Sequence, residues 1–354
     1  MAQKTWGSPR TSAKPTKVRE SEWNLDAPVT AILPFADQFV CAAGDGRVTF
    51  VDADASPQTQ TVQKAHGGAI LSAAVTPDGA ALLTGGDDGR VILSRADREP
   101  EEIANAGGRW IDHVATGPDG VLAWSTSRKV IVQLSPQERR EFSLPSSGGA
   151  IAFAPRSKWI AVAHYGGATI WNLGQLDADP WSLQWKGSHL GVTWSPDERF
   201  LVTTMQEDAL HGWRLEDEAD MAMAGYPAKP RSLSWSANGE WLATSGANEA
   251  VLWPFKGHGP MGKAPQTLAR HTAIVSAVAC HPHSAYVAAG FRDGALFLGR
   301  QRDLGAALVR GGRNSPIAAL AWSRDGRRLA YGAEDGAFGV ISFTSFNGPK
   351  GAQL

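Results

Sequence analysis

The chain has only two cysteines, Cys41 and Cys280, in 354 residues. Two thiols cannot build a disulfide framework or a cysteine-rich zinc site, so both read as small buried apolar residues in a reducing compartment. No apolar run approaches the roughly 20 residues that a membrane-spanning helix needs. The first 20 residues lack the apolar stretch of a signal peptide and are basic, rich in Ser, Thr and Pro, and free of acids until Glu20. That composition suits a flexible tail, with an organelle transit peptide as the alternative, and the expected location is cytoplasmic. Formal net charge is -1, so no global field draws the protein to nucleic acid or to an anionic membrane. Gly-x-Ser-x-Gly elbows, phosphate-binding loops and His-Glu-x-x-His helices are also missing, and there is hardly any helical periodicity.

What the chain does have is a repeat. A turn close to Trp-Ser-Pro-Asp-Gly recurs at Val75–Gly79, Thr116–Gly120, Phe153–Arg156, Trp194–Asp197, Trp235–Gly239, Cys280–His283 and Trp322–Gly326, with a degenerate first copy at Leu33–Asp37. The eight copies stand at intervals of 37 to 45 residues. Each is followed by a short apolar run, a second turn and another β-type run. Asp45-Gly46, Asp88-Gly89, Asp293-Gly294 and Asp335-Gly336 mark the second turn, where glycine accepts the positive φ of a tight hairpin cheaply. Four short antiparallel strands per repeat make a propeller blade.

Over residues 22 to 343 this pattern resembles the WD40 repeat family. Trp171-Asn172 approximates its Trp-Asp dipeptide, while Ala65-His66 and Arg270-His271 stand for its Gly-His element. The resemblance implies an all-β propeller, with eight four-stranded blades expected and seven as the alternative. A seven-blade ring would leave one repeat unpaired. Trp194, Trp235 and Trp322 end first strands, where large rings can wedge between neighbouring blades; Phe153 and Val75 fill the same position. Trp23–Leu25 is expected to latch the ring as the outer strand of the last blade, which removes two open sheet edges. The resulting division is a tail over 1–21, one propeller over 22–343 and a C-terminal tail over 344–354.

The resemblance also implies a non-catalytic scaffold, a monomeric ring within a larger complex that holds a protein or peptide on one face and needs no cofactor. On that face fall Trp110, Arg231 and His189, which precede first strands, and Asp87, Tyr165, Glu207, Phe291, Arg292 and Glu334 at second turns. Aromatics and Arg are enriched in binding hot spots, which singles out Trp110, Phe291 and Arg292. Asp45, Asp88, Asp208, Asp293 and Asp335 are expected to hold turns, with Asp88 bonding His66 and Asp293 bonding His271. Two other readings stand beside this one. His164, His189 and His211, with Glu207 and Asp208, fall near one another on that face, a donor set suited to zinc or a small ligand. Lys4, Arg10, Lys14, Lys17 and Arg19 form a basic arm, with Arg327-Arg328 a further spot, that could hold nucleic acid weakly.

Overall fold

The computed structural model describes residues 16–52 and 60–344. The regular elements of the described residues are antiparallel strands, apart from one turn of 3-10 helix at Pro118–Gly120. Six sheets have four strands and one has six. The arrangement is a propeller of seven sheets, so the alternative count fits and the expectation of eight separate blades is not met. Repeats 4 and 5 account for the difference because they share the six-stranded sheet. Trp159–Asn172 and Trp181–Trp194 are continuous 14-residue strands. The second pairs backwards through Trp181–Ser188 and forwards, with Phe200–Met205, through His189–Trp194. The strand itself therefore crosses the seam between two repeats, its first half paired to one and its second half to the next. No repeat is left unpaired.

The recurrent turn has a local cause. Ser195 Oγ donates to Asp197 Oδ1 at 2.6 Å and accepts the Phe200 N–H at 3.0 Å. Ser236 with Asn238 and Ser323 with Asp325 repeat the arrangement, and Thr76 substitutes for serine opposite Asp78. Hydroxyl and carboxylate thus satisfy the amides that a tight turn leaves over.

First strands of successive repeats lie side by side, and Ile317–Trp322 returns against Val29–Phe35 to close the ring. Of the tryptophans that end these strands, Trp194 and Trp322 are buried and Trp235 is half-buried, and each donates its indole N–H to the preceding repeat. Trp194 reaches Ala152 O at 3.0 Å, Trp235 reaches Thr193 Oγ1 at 3.1 Å, and Trp322 reaches Ala279 O at 3.0 Å. A ring buried between two sheets stabilises by roughly 1.5–3 kcal/mol, and the N–H fixes how far one sheet slides on the next.

The last sheet is completed by Lys17–Asn24, which pairs with Ala337–Phe343 from Lys17↔Phe343 to Asn24↔Ala337. This strand begins at Lys17, so it takes in residues 17–21, which the sequence places in the tail. Trp23 stacks on Phe338 at 5.1 Å. Beneath it, the fully buried Tyr331 extends its hydroxyl to Glu20 Oε1, at 2.9 Å, and to Glu22 Oε2. Burial and the Glu22 carboxylate push the phenol far above its usual range, so it stays a donor. Arg310, at the end of the preceding sheet, lies 4.6 Å over the Tyr331 ring and 3.4 Å from Glu22. The N-terminal strand is therefore tied to two sheets at once.

Candidate functional site

Second turns and the connections between repeats lie at one end of the ring, called here the upper face; the Ser-Pro-Asp-Gly-type turns lie at the lower. At the lower face His281 Nε2 meets Gly326 O at 2.9 Å, which keeps the His281-Pro-His283 segment away from the upper histidines. Arg324 donates across that face to Pro77 O at 3.2 Å and Asp78 O at 3.3 Å.

The upper turns are held by their aspartates to different degrees. Asp88 accepts the Gly67 N–H at 2.9 Å and the Arg90 N–H at 3.1 Å, and its Oδ1 lies 2.9 Å from His66 Nδ1. The other ring nitrogen of His66 meets Thr84 Oγ1 at 2.9 Å. Burial lowers the His66 pKa, outweighing the pull of Asp88. Asp293 lies 2.7 Å from His271 Nε2 and accepts the Ala295 N–H. Asp45 and Asp335 each accept only the amide two residues on, with Arg47 also paired to Asp45. Asp208 is exposed, has a φ of 52° and forms no side-chain hydrogen bond among the described residues.

The residues expected to meet a partner divide in two. Trp110 and Tyr165 are 59% and 60% exposed, and Arg231, Arg292, Glu207 and Glu334 are exposed as well. Asp87 is half-buried. Phe291 and His189 are not available at all. Phe291 is fully buried against His271, at 5.0 Å, and Phe297, at 5.4 Å, so this ring anchors the turn that presents Arg292. His189 is buried with Nδ1 on Thr203 Oγ1 at 2.7 Å and Nε2 on Trp185 O at 3.0 Å.

The histidine cluster does not present a metal site. His164 uses both ring nitrogens, on Tyr165 O at 2.9 Å and Thr169 Oγ1 at 2.8 Å. With His189 also saturated, only His211 keeps free nitrogens, and it lies flat under Trp185 at 4.0 Å. Among the described residues no group of three or more His, Cys, Asp or Glu side chains is placed to hold an ion. Of the basic arm, Lys17 pairs with Glu20 and Arg19 is exposed, while Lys4, Arg10 and Lys14 lie outside the described residues; Arg327 pairs with Asp325.

What the fold does bring together is an opening of about 410 Å³ at the upper mouth of the ring, lined by Lys229, Arg231, Arg292 and Glu334 with Ser232 and Ser276. Arg231 N–H and Ser232 N–H both donate to Ser245 Oγ, at 3.1 and 3.0 Å, which fixes the Lys229–Arg231 connection. Gly246 allows that approach: at φ 102° it packs so that a β-carbon would lie 2.6 Å from Ala228 O. Arg292 and Glu334 occupy equivalent turn positions in adjoining repeats, with their amides on Ile274 O and Pro316 O at 2.9 and 3.0 Å. The opening leads into an axial space of about 840 Å³, bounded by Arg231 above and Arg324 below and walled by small residues such as Ala31, Ala73, Ser234 and Ala277. Lys229 is the lining cation that the turn pattern misses; its signal is the Lys229-Pro230-Arg231 triplet just before a first strand. Trp185 is missed as well. It is 38% exposed, as is Leu190, and with Trp110 and Tyr165 it leaves the part of the upper face over repeats 2 to 5 rich in exposed apolar groups.

A ring of antiparallel sheets with its exposed groups gathered at one mouth defines a β-propeller. The family model described as WD domain, G-beta repeat matches residues 57–93 and 262–298. The protein is a β-propeller with WD40 repeats matched at these two positions. The two matched stretches are those that hold the His66–Asp88 and His271–Asp293 pairs. The curated proteins give no match to this chain. Propellers of this repeat type are generally protein-interaction scaffolds. Among the described residues, no helix is long and apolar enough to cross a membrane.

Proposed function

We propose that the protein is a non-catalytic scaffold that holds a protein or peptide partner on its upper face and channel mouth. The observation that carries this reading is the placement of Trp110, Tyr165, Arg231 and Arg292, all exposed, on one end of a rigid ring. Large rings and guanidinium groups are the side chains that dominate binding energy when desolvated by a partner. A surface held by closed sheets loses little conformational entropy on binding, so contacts made there are not spent on ordering the site. The non-catalytic part follows the scaffold role that is general among WD40 propellers.

The test is purification of the protein at native abundance, with mass spectrometry, beside a Trp110→Ala, Arg231→Ala, Arg292→Ala variant of unchanged melting temperature. A partner held by the wild type and lost by the variant supports the upper-face scaffold. A partner held equally by both moves the binding surface elsewhere.

A further inference from the structure

We propose that the upper mouth is an anion-recognising site whose occupant is an acidic segment of a partner polypeptide. This rests on the scaffold reading above and names the chemistry of the partner. Several arginines around the outside of the ring are neutralised by an acid close by: Arg90 by Glu102, Arg140 by Glu138, Arg214 by Asp217 and Arg300 by Asp303. The three cations of the mouth differ. Among the described residues, Lys229, Arg231 and Arg292 have no carboxylate within ion-pair distance, although they share one concave opening. Lys229 is half-buried there, and Glu334 is the one acid in the lining.

Like charges gathered on low-dielectric walls focus a positive potential into the space between them. Full neutralisation needs an occupant with at least two negative charges. The lining serines are used within the fold, Ser276 donating to Ile317 O at 2.7 Å and Ser245 accepting the Arg231 and Ser232 amides, so recognition falls to the three cations. Two features favour a polypeptide over a small anion. The opening is far larger than one carboxylate or phosphate and continues into the axial space. Across the mouth, Trp110, Tyr165, Trp185 and Leu190 provide an exposed apolar region on the same face, which a small anion would leave unused. The upper face thus fits a chain with a cluster of acids followed by apolar or aromatic residues.

The probe is fluorescein-labelled hexaglutamate, titrated with the full-length protein by anisotropy at low and physiological salt. Inorganic phosphate, pyrophosphate and a single-stranded oligonucleotide serve as competitors. Saturable binding is expected, weakened about 5- to 20-fold by Arg231→Gln or Arg292→Gln and strengthened about 2- to 5-fold by Glu334→Gln, each variant keeping the wild-type melting temperature. The gain with Glu334→Gln is the outcome that a general loss of structure cannot mimic. No saturable binding at low salt, or binding indifferent to all three substitutions, overturns the proposal. Tighter binding of phosphate or pyrophosphate assigns a small-anion site instead, and tighter binding of the oligonucleotide a nucleic-acid site; either also overturns it. If a captured partner is lost with Trp110→Ala but kept by the Arg231→Gln, Arg292→Gln double variant, the scaffold stands and the acidic partner falls. A partner kept by all of these variants removes both.

Discussion

Tyr331 reaches the N-terminal strand by lying directly across Gly339. The two are partners in adjacent strands, Tyr331↔Gly339, and Glu22↔Gly339 continues the row into the next strand. A β-carbon on Gly339 would fall inside the van der Waals radius of the Tyr331 ring and hydroxyl. Gly339 is thus required by its neighbour's reach, since it is not among the residues of positive φ. Gly339→Ala is expected to destabilise by about 1–3 kcal/mol, as overpacking of a filled site does. Gly311→Ala, where nothing lies within 4 Å of the added carbon, is the control and should stay within about 0.5 kcal/mol. A Tyr331→Leu, Gly339→Ala double variant should cost less than the sum of its single changes, because the clash needs both partners. Denaturant unfolding of the four proteins checks this; strict additivity would count against the clash.

The same row predicts how the ring responds to truncation. Removing residues 1–16 leaves the Lys17–Asn24 strand whole, and the melting temperature should shift by no more than about 2 °C. Removing residues 1–24 takes away seven pairings with Ala337–Phe343, the Trp23–Phe338 stack and both acids on Tyr331. It exposes the outer edge of Ala337–Phe343 and leaves Tyr331 and Arg310 short of their partners. A fall of roughly 5–10 °C is expected, since several kcal/mol are lost and a protein above 150 residues shifts by about 2–4 °C per kcal/mol. Equal melting of both truncations would show that the strand does not latch the ring.

Much of this architecture was legible in the chain because its turns repeat a chemical device. Ser or Thr with Asp or Asn two residues on recurs because that pair satisfies the turn amides, so the spacing of the motif is the spacing of the repeat. The latch was legible because Glu22–Leu25 resembles Glu141–Leu144, the outer-strand run that precedes the fourth repeat. Sheet number was not, because a periodic sequence marks repeats and not the places where backbone pairing stops. Trp181–Trp194 shows this: Gly187, at φ 132°, marks where pairing changes from one repeat to the next, yet the strand runs on and the two repeats share one sheet. At the upper face, turn position identified Arg292 and Glu334 but assigned Phe291 wrongly. Adjacent residues in a strand end point to opposite sides, and an apolar ring there goes to the core. The histidines misled for a related reason. Closeness in the chain says nothing of ring nitrogens, and Thr169, Thr203 and two carbonyls had already claimed those of His164 and His189.

Turn aspartates that look alike in sequence should differ sharply on substitution. Asp88→Ala removes the acceptor for Gly67 N–H and Arg90 N–H and strands His66 Nδ1 in a buried site. A loss of about 1–3 kcal/mol is expected, chiefly the cost of leaving the buried His66 Nδ1 unsatisfied. Asp208→Asn removes no side-chain hydrogen bond among the described residues and keeps a residue type that tolerates the left-handed backbone, so it should change stability by less than about 0.5 kcal/mol. Equal losses in chemical denaturation would mean that the Asp88 network contributes nothing of its own.

His211 carries the last expectation, and its sign depends on pH. Both ring nitrogens are buried without a hydrogen-bond partner, while the ring is stacked 4.0 Å from Trp185 and edge-on to Trp213 at 4.7 Å. An apolar side chain of similar size would keep the packing and shed the desolvation cost of two polar atoms. His211→Leu is therefore expected to stabilise the protein by about 1–2 kcal/mol at pH 7.5. Burial, with some repulsion from His189, pushes the His211 pKa from an ordinary 6.5 down to about 4. The unfolded imidazole then takes up a proton near pH 6.5 while the folded one resists until about pH 4. Wild-type stability from this group is full above the unfolded value and declines as pH falls through that interval. Leucine has no such slope, so the advantage of His211→Leu should be larger at pH 5 than at pH 7.5. A constant gap between the two pH values, measured by urea unfolding, would show that His211 is not held neutral by its burial. A less stable variant at both would show that its nitrogens have partners after all.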